Sequence, residues 1–279
     1  MICYRHPDRE AYVRCQRCER FICPECQIEA SVGFLCPDDA GGTVTQLNRR
    51  RTRAARVRQS GPRPVVTLTL IGINVALWLL QIVPGSYVTD LFAYVPQITA
   101  VQPWRMITAG FVHNPNLFLQ DGVHPEAVLH LLLNMYSLYI FGQVLEPMLG
   151  RARFAALYLI ALFGGSVGVL WLASPDSWVV GASGAIFGLM AAYFVVLRKL
   201  GQNSSQMLGL IAINLVFGFV SSGVSWQGHI GGLVTGGVVA LVLANTRQIS
   251  QQAAQRLGLV SVVIILALMT VFRANLLGL

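Results

Sequence analysis

The sequence predicts an all-α membrane protein, a polytopic helical bundle preceded by a small cysteine-rich domain. Of 279 residues, 54% are hydrophobic and 11% charged, with a mean hydropathy of +0.60; soluble domains carry roughly 25% charged residues. The charges are also unevenly placed. Residues 1–63 hold 12 of the 20 basic and 7 of the 12 acidic side chains, leaving 8 and 5 for the 216 residues that follow. So few charges cannot cover a water-facing surface, which excludes an ordinary soluble globule and makes lipid the solvent of the larger part. All six cysteines, finally, lie within the first 36 residues.

Those cysteines form the first element. Cys3-x2-His6, Cys15-x2-Cys18, Cys23-x2-Cys26 and Cys36-x2-Asp39 are four pairs, each with two residues between its members. This spacing lets two ligands converge on one tetrahedral ion and favours metal over disulfides. Four pairs make two closed sites of four ligands, with Asp38 an alternative to Asp39. About 40 residues bury little core, so bound metal supplies folding energy. The run resembles a B-box-type zinc finger, whose pairs interleave. That resemblance implies one zinc ion on Cys3, His6, Cys23 and Cys26 and a second on Cys15, Cys18, Cys36 and Asp39, both structural. Residues 1–41 are therefore expected to be a zinc-binding domain.

A basic linker follows at 42–63, with Arg49, Arg50, Arg51, Arg53, Arg56, Arg58 and Arg63 and no acidic residue. It reads as a topogenic segment that keeps the N-terminus in the cytoplasm; binding of anionic lipid headgroups is the narrower alternative. The polar, cysteine-rich N-terminus does not read as a cleavable signal peptide.

Apolar runs near the spanning length of about 20 residues fall at 65–83, 126–145, 153–173, 181–198, 207–221, 227–245 and 258–276. With a cytoplasmic N-terminus, Arg151 and Arg153, Arg198 and Lys199, and Arg247 and Arg256 all fall in cytoplasmic loops. The opposite loops hold Arg105 with Asp90, Asp121 and Asp176, and Arg273 sits at the far end of span seven. The bias follows the positive-inside rule, and a cytoplasmic N-terminus keeps the cysteines reduced. The loop at 84–125 is long and rich in aromatic residues, which suits a structure lying in the membrane interface.

Polar residues inside spans are costly and point to function. Four stand out: His130 and Asn134 in span two, Ser183 in span four and His229 in span six. All lie within the first turns of spans entering from the outer side, at similar depth. Ser183 opens a helical run, beside free backbone N–H groups that can stabilise an oxyanion. Gly184 and Gly188 on one span, and Gly228, Gly232 and Gly236 on another, recur every four residues. Such ridges let helices approach closely and bring His229 toward Ser183. A neutral imidazole there can accept the serine proton. His130 and Asn134 are four apart on one helix face, both donors. No acid follows Asp176, so a Ser-His dyad, not a triad, is expected. The absence of an acid within any apolar stretch argues against a proton- or ion-coupled transporter. The single lysine, Lys199, at a cytoplasmic helix end, excludes a retinal-type receptor.

His130-x3-Asn134, Gly181-x-Ser183-Gly184 and Gly228-His229-x-Gly231, in that order on spans two, four and six, resemble a rhomboid intramembrane serine protease. Trp104-Arg105, Phe111-x-His113 and Glu146 match family positions too. The resemblance implies a rhomboid-like six-helix catalytic core at 64–245, with residues 246–279 adding a linker and a seventh C-terminal transmembrane helix. It further implies Ser183 as nucleophile and His229 as general base, an oxyanion hole of His130, Asn134 and the Ser183 N–H, and Phe187 stacked on His229. Gly228 replaces a more usual Ala, Phe187 replaces a common Tyr, and 114–125 reads as an insertion. The implied activity is serine endopeptidase cleavage, through an acyl-enzyme, in or near the transmembrane helix of single-span membrane-protein substrates, with no cofactor for catalysis. An inactive rhomboid-like scaffold binding membrane proteins is the alternative. The expected setting is the lipid bilayer of the plasma membrane, with the N-terminus cytoplasmic, the C-terminus extracytoplasmic and the site near the outer leaflet. A cytoplasmic protein partner for the zinc domain, oligomerisation and regulation across the membrane stay open; no nucleic-acid partner is expected.

Overall fold

The computed structural model describes residues 1–30, 33–40, 63–119, 122–221 and 223–279; side chains at 118, 119, 122 and 123 are not described. The basic linker lies outside the described residues apart from Arg63, as does part of the expected insertion. The chain divides into two compact units, Met1–Pro62 and Arg63–Leu279.

The first unit is two small hairpins. β1 (Val13–Arg14) pairs antiparallel with β2 (Phe21–Ile22), and β3 (Ile28–Glu29) with β4 (Phe34–Leu35). Its interior consists of Cys3, Cys15, Cys23, Cys26 and Cys36 with Ala11 and Ile22. A core of thiols with one alanine and one isoleucine buries too little surface to stabilise a fold of this size unaided.

The second unit is helical. α1 (Val65–Gln81) leads into a long loop carrying α2 (Val88–Phe92), α3 (Arg105–Thr108) and a short hairpin, β5 (Phe118–Leu119) with β6 (Gly122–Val123). Then come α4 (Pro125–Leu149), α5 (Arg151–Leu172), α6 (Ser183–Lys199), α7 (Ser205–Val220), α8 (Trp226–Asn245) and α9 (Gln252–Leu277). A helix thus stands at each of the seven expected spans. Four stretches are long and apolar enough to cross a bilayer by length and composition: α4, α5, α8 and Ile249–Leu277. α1 and α7 are apolar but only 17 and 16 residues long, about 25 Å at 1.5 Å per residue. α6 begins at Ser183, two residues inside the expected run, because Gly181 takes φ +118° and is bonded into the loop.

α8 sits between α5 and α6, with glycines on both seams. A Cβ built on Gly232 would stand 1.9 Å from the Gly184 carbonyl oxygen, and one on Gly236 2.3 Å from Gly188 Cα. Toward α5, a Cβ on Gly231 would stand 2.3 Å from the Gly164 carbonyl oxygen. Lipid supplies no hydrophobic drive between helices, so this close backbone approach holds them through dispersion contacts. The ridge on α6 and α8 is readable in the sequence; Gly164, Gly165 and Gly168 on α5 are its unread counterpart.

α9 is tied to the bundle at both ends. Near its start the buried Gln255 accepts from Arg153 Nε at 2.7 Å and donates to the Thr246 carbonyl at 2.8 Å. Near its finish Arg273 Nε donates to the Leu170 carbonyl at 3.4 Å, and Phe272 stacks on Trp171.

Glu146 stands within α4, beyond the apolar stretch, and is only 3% exposed. Its carboxylate accepts from Val66 N at 2.9 Å and from Thr67 N and Thr67 Oγ1 at 2.8 Å each. An anion at the N-terminus of α1 satisfies unpaired amides and opposes the positive end of the helix dipole. Glu146→Gln is expected to destabilise the protein by about 1.5–3 kcal/mol, the worth of hydrogen bonds to a charged group. Thermal unfolding of the detergent-solubilised protein checks this; an unchanged midpoint would remove Glu146 as the cap of α1.

Candidate functional site

The described residues of the loop at 84–119 form a folded layer that holds the segment before α6. Tyr94 and Val179 exchange two backbone hydrogen bonds of 3.0 Å, Gln97 N donates to the Pro175 carbonyl at 2.9 Å, and Gly181 N to the Ala109 carbonyl at 2.9 Å. The layer is anchored in turn to α1 and α5. The Gln81 side chain donates to the His113 carbonyl at 2.8 Å and accepts from its N–H at 2.9 Å. Ser166 Oγ donates to the Met106 carbonyl at 2.6 Å, and Arg105 Nη1 to the Ala93 carbonyl at 2.9 Å. Gln81 gave no signal in the sequence, since a glutamine at a span end is unremarkable without its partners.

Ser183 is the first residue of α6 and His229 the fourth of α8. Their Oγ and Nε2 atoms are 3.0 Å apart, although the residues are 46 positions apart in the chain. The Phe187 ring, one turn on from Ser183, stacks on the imidazole with centroids 4.2 Å apart and planes inclined by 17°. His229 is 6% exposed, and its Nδ1 has no hydrogen-bond partner among the described residues. Gly218 on α7 lies against it; a Cβ there would stand 3.2 Å from Nδ1.

His130 projects from α4 toward the same region. A Cβ built on Gly181 would stand 3.3 Å from His130 Nε2 and 4.0 Å from Ser183 Oγ. Because residue 181 is glycine, that point is open space flanked by a hydroxyl and a ring nitrogen. Asn134 Nδ2 donates to the His130 carbonyl at 2.8 Å, which leaves its second N–H for another acceptor. His113, fully buried, lies behind His130 with ring centroids 5.4 Å apart.

In the cysteine-rich unit the ligand atoms gather into two groups, Cys3–His6–Cys23–Cys26 and Cys15–Cys18–Cys36–Asp39, each within 4.8 Å throughout. A tetrahedral ion with metal–sulfur bonds of about 2.3 Å has ligand–ligand edges of about 3.8 Å. In the first group His6 Nδ1 stands 3.8, 3.3 and 3.4 Å from the sulfurs of Cys3, Cys23 and Cys26. In the second, Asp39 Oδ2 stands 3.1 Å from Cys15 Sγ and from Cys36 Sγ. Both groups could bind a metal ion, and their donor chemistry fits one. Hydrogen bonds from the thiols of Cys18, Cys36 and Cys15 hold the Asp39 pKa down at about 2. Asp38 is engaged elsewhere, accepting from Tyr4 OH at 3.0 Å and pairing with Arg20 at 3.1 Å.

A helical bundle of this kind, with a serine–histidine pair between two glycine-lined helices, defines a multi-pass membrane protein with a polar site inside its helices. The family model of the rhomboid domain matches residues 100–246, and the chain belongs to the rhomboid family. It is 31% identical over 195 residues to YdcA of Bacillus subtilis (strain 168), covering 66% of this chain and 91% of that one. It is 33% identical over 214 residues to the rhomboid protease GluP of the same organism, covering 72% of this chain but 38% of GluP. Over 212 residues it is 26% identical to the rhomboid protease AarA of Providencia stuartii, covering 63% and 71% of the two chains. Rhomboid proteins are typically intramembrane serine proteases acting on membrane proteins within the bilayer, and some rhomboid-like members are inactive.

Proposed function

We propose that this protein is an active intramembrane serine endopeptidase that cuts single-span membrane proteins in or near their transmembrane helix. The observation that carries this reading is the 3.0 Å contact between Ser183 Oγ and His229 Nε2, with Phe187 stacked on the ring. His229 Nε2 takes the hydroxyl proton as Ser183 Oγ attacks the scissile carbonyl carbon. The carbonyl oxygen, now an anion, occupies the space beside Gly181, where His130, Asn134 and the Ser183 N–H donate to it. Collapse of this intermediate breaks the C–N bond, and the proton held by His229 passes to the leaving amine. Water, deprotonated by the same imidazole, then hydrolyses the acyl-enzyme and restores Ser183.

A regular helix hides its carbonyls in its own hydrogen bonds, so substrates with Gly, Pro or small residues near the cut are the ones that unwind into the site. The basic linker supports a cytoplasmic N-terminus and a site near the outer leaflet of the plasma membrane. The two thiol clusters each hold a structural zinc ion, which supplies the folding energy that the small core of residues 1–40 lacks.

The test is cleavage of a generic single-span substrate with Gly/Ala near its outer end, in liposomes, together with fluorophosphonate labelling of Ser183. A cut within the span and a labelled serine are expected. Neither one, from folded protein, would favour the non-catalytic scaffold. His130→Ala and Asn134→Ala are each expected to lower kcat by about 10²–10³-fold with little change in KM, as loss of an oxyanion donor does; steady-state kinetics in proteoliposomes checks this.

A further inference from the structure

Two clusters of similar make-up need not bind alike. Three thiolates and a neutral imidazole leave a divalent ion over-neutralised by one charge, whereas three thiolates and a carboxylate leave it over-neutralised by two. The second cluster therefore gathers more negative charge in a small volume, and its Cys18 is half-buried where the other cysteines are buried. Something must offset that charge for the site to hold its ion as firmly as the first.

One side chain lies across the second cluster with every nitrogen engaged. Arg20 Nε donates to Cys18 Sγ at 3.1 Å, Nη2 lies 3.6 Å from Cys36 Sγ, and Nη1 pairs with Asp38 Oδ2 at 3.1 Å. The guanidinium is itself held in place. Its carbon stands 4.1 Å over the Tyr4 ring, and the Tyr4 hydroxyl donates to the same Asp38 oxygen at 3.0 Å. Arg9, by contrast, pairs with Glu25 at 2.5 Å. A planar fork clamped between an aromatic face and a carboxylate presents its remaining donors to sulfur at little further cost in side-chain freedom.

Resting on the reading of the clusters as metal sites, we infer that Arg20 is the positioning residue that sets the hold of the second site on its ion, with Asp38 and Tyr4 as its brace. This gives Asp38 a role that is not ligation. Groups that hydrogen-bond metal ligands from outside typically govern metal affinity by 10–100-fold.

The test measures zinc on the full chain purified in detergent, by competition with a chromophoric chelator. Wild type is expected to bind two ions, and Cys18→Ser to lose one, which identifies the ion of the second site. Arg20→Gln is expected to weaken that same ion about 10–100-fold and leave the other unchanged. Arg20→Lys is expected to recover part of the loss, since it restores the charge but not the fork. Cobalt(II) loading gives a separate readout: the thiolate-to-metal band of the second site shifts in Arg20→Gln and not in Arg9→Gln. Two ions as tight as in wild type, with an unchanged cobalt spectrum, would overturn the inference. Equal weakening of both ions would overturn it too, by making Arg20 a residue of the fold rather than of one site. Wild-type protein that binds fewer than two ions would instead refute the metal sites themselves, a failure visible before any variant is made.

Discussion

Ser183→Ala and His229→Ala are each expected to slow cleavage of a single-span substrate by about 10⁴-fold or more, and the double variant is expected to be no slower than either. The two side chains form one unit. Without the hydroxyl there is nothing to attack the carbonyl, and without the imidazole the hydroxyl loses the acceptor that stands 3.0 Å from it. Among the described residues no third member joins the pair: Nδ1 of His229 has no partner, and a Cβ on Gly218 of α7 would stand 3.2 Å from it. Phe187→Ala is expected to cost far less, about tenfold, because an aromatic stack contributes roughly 0.5–1.5 kcal/mol. Single-turnover rates with folded protein in liposomes separate these cases. A His229→Ala protein cleaving within tenfold of wild type would refute the dyad.

Gly232→Ala is expected to destabilise the protein by more than about 4 kcal/mol, at the extreme of single substitutions. The new Cβ would stand 1.9 Å from the Gly184 carbonyl oxygen and 3.0 Å from Gly184 Cα. Both are backbone atoms of a neighbouring helix, so no rotamer change relieves the overlap and α6 must move away from α8. Because Gly184 follows Ser183 directly, the same movement separates the serine from His229, and activity falls with stability. Gly236→Ala meets Gly188 Cα at 2.3 Å and is expected to behave alike. The comparison that gives this its force is Gly72→Ala in α1 and Gly209→Ala in α7, where a Cβ meets nothing within 4 Å. Those substitutions are expected to be neutral or to stabilise by up to about 1 kcal/mol, through helix propensity alone. Unfolding midpoints of the four variants check both halves, and a Gly232→Ala protein as stable as Gly72→Ala would contradict the close approach.

Much of this was legible before any coordinates. Composition alone set lipid as the solvent, because 216 residues with 13 charged side chains cannot face water. The period-four glycines on α6 and α8 announced a close helix pair, and the regular x2 spacing of the ligand pairs announced two metal-type clusters. These signals are local: each is a spacing along one segment, and segment spacing is what sequence records directly. The four intramembrane polar residues stood out for the same reason, since hydrocarbon makes every such group an exception.

What only the tertiary structure decided lies between segments. The long loop read as an interfacial layer, yet its backbone bonds to Val179 and Gly181 make it the support of the serine's own approach. Glu146 matched a family position, but that it caps α1 depends on a helix end nearly 80 residues away in the chain. The x2 spacing pointed to Asp39 and left Asp38 as an alternative; the carboxylate that meets Cys15 and Cys36 is Asp39, while Asp38 is held by Tyr4 and Arg20. The glycines of α5 had no partner to be read against until α8 was seen to lie beside them. The sequence by itself determined the solvent, the elements and the residue types capable of chemistry, because composition and periodicity act within a segment. Which donors meet which acceptors was decided by the fold, because hydrogen bonds and close contacts act over a few ångströms between segments whose separation in the chain carries no distance.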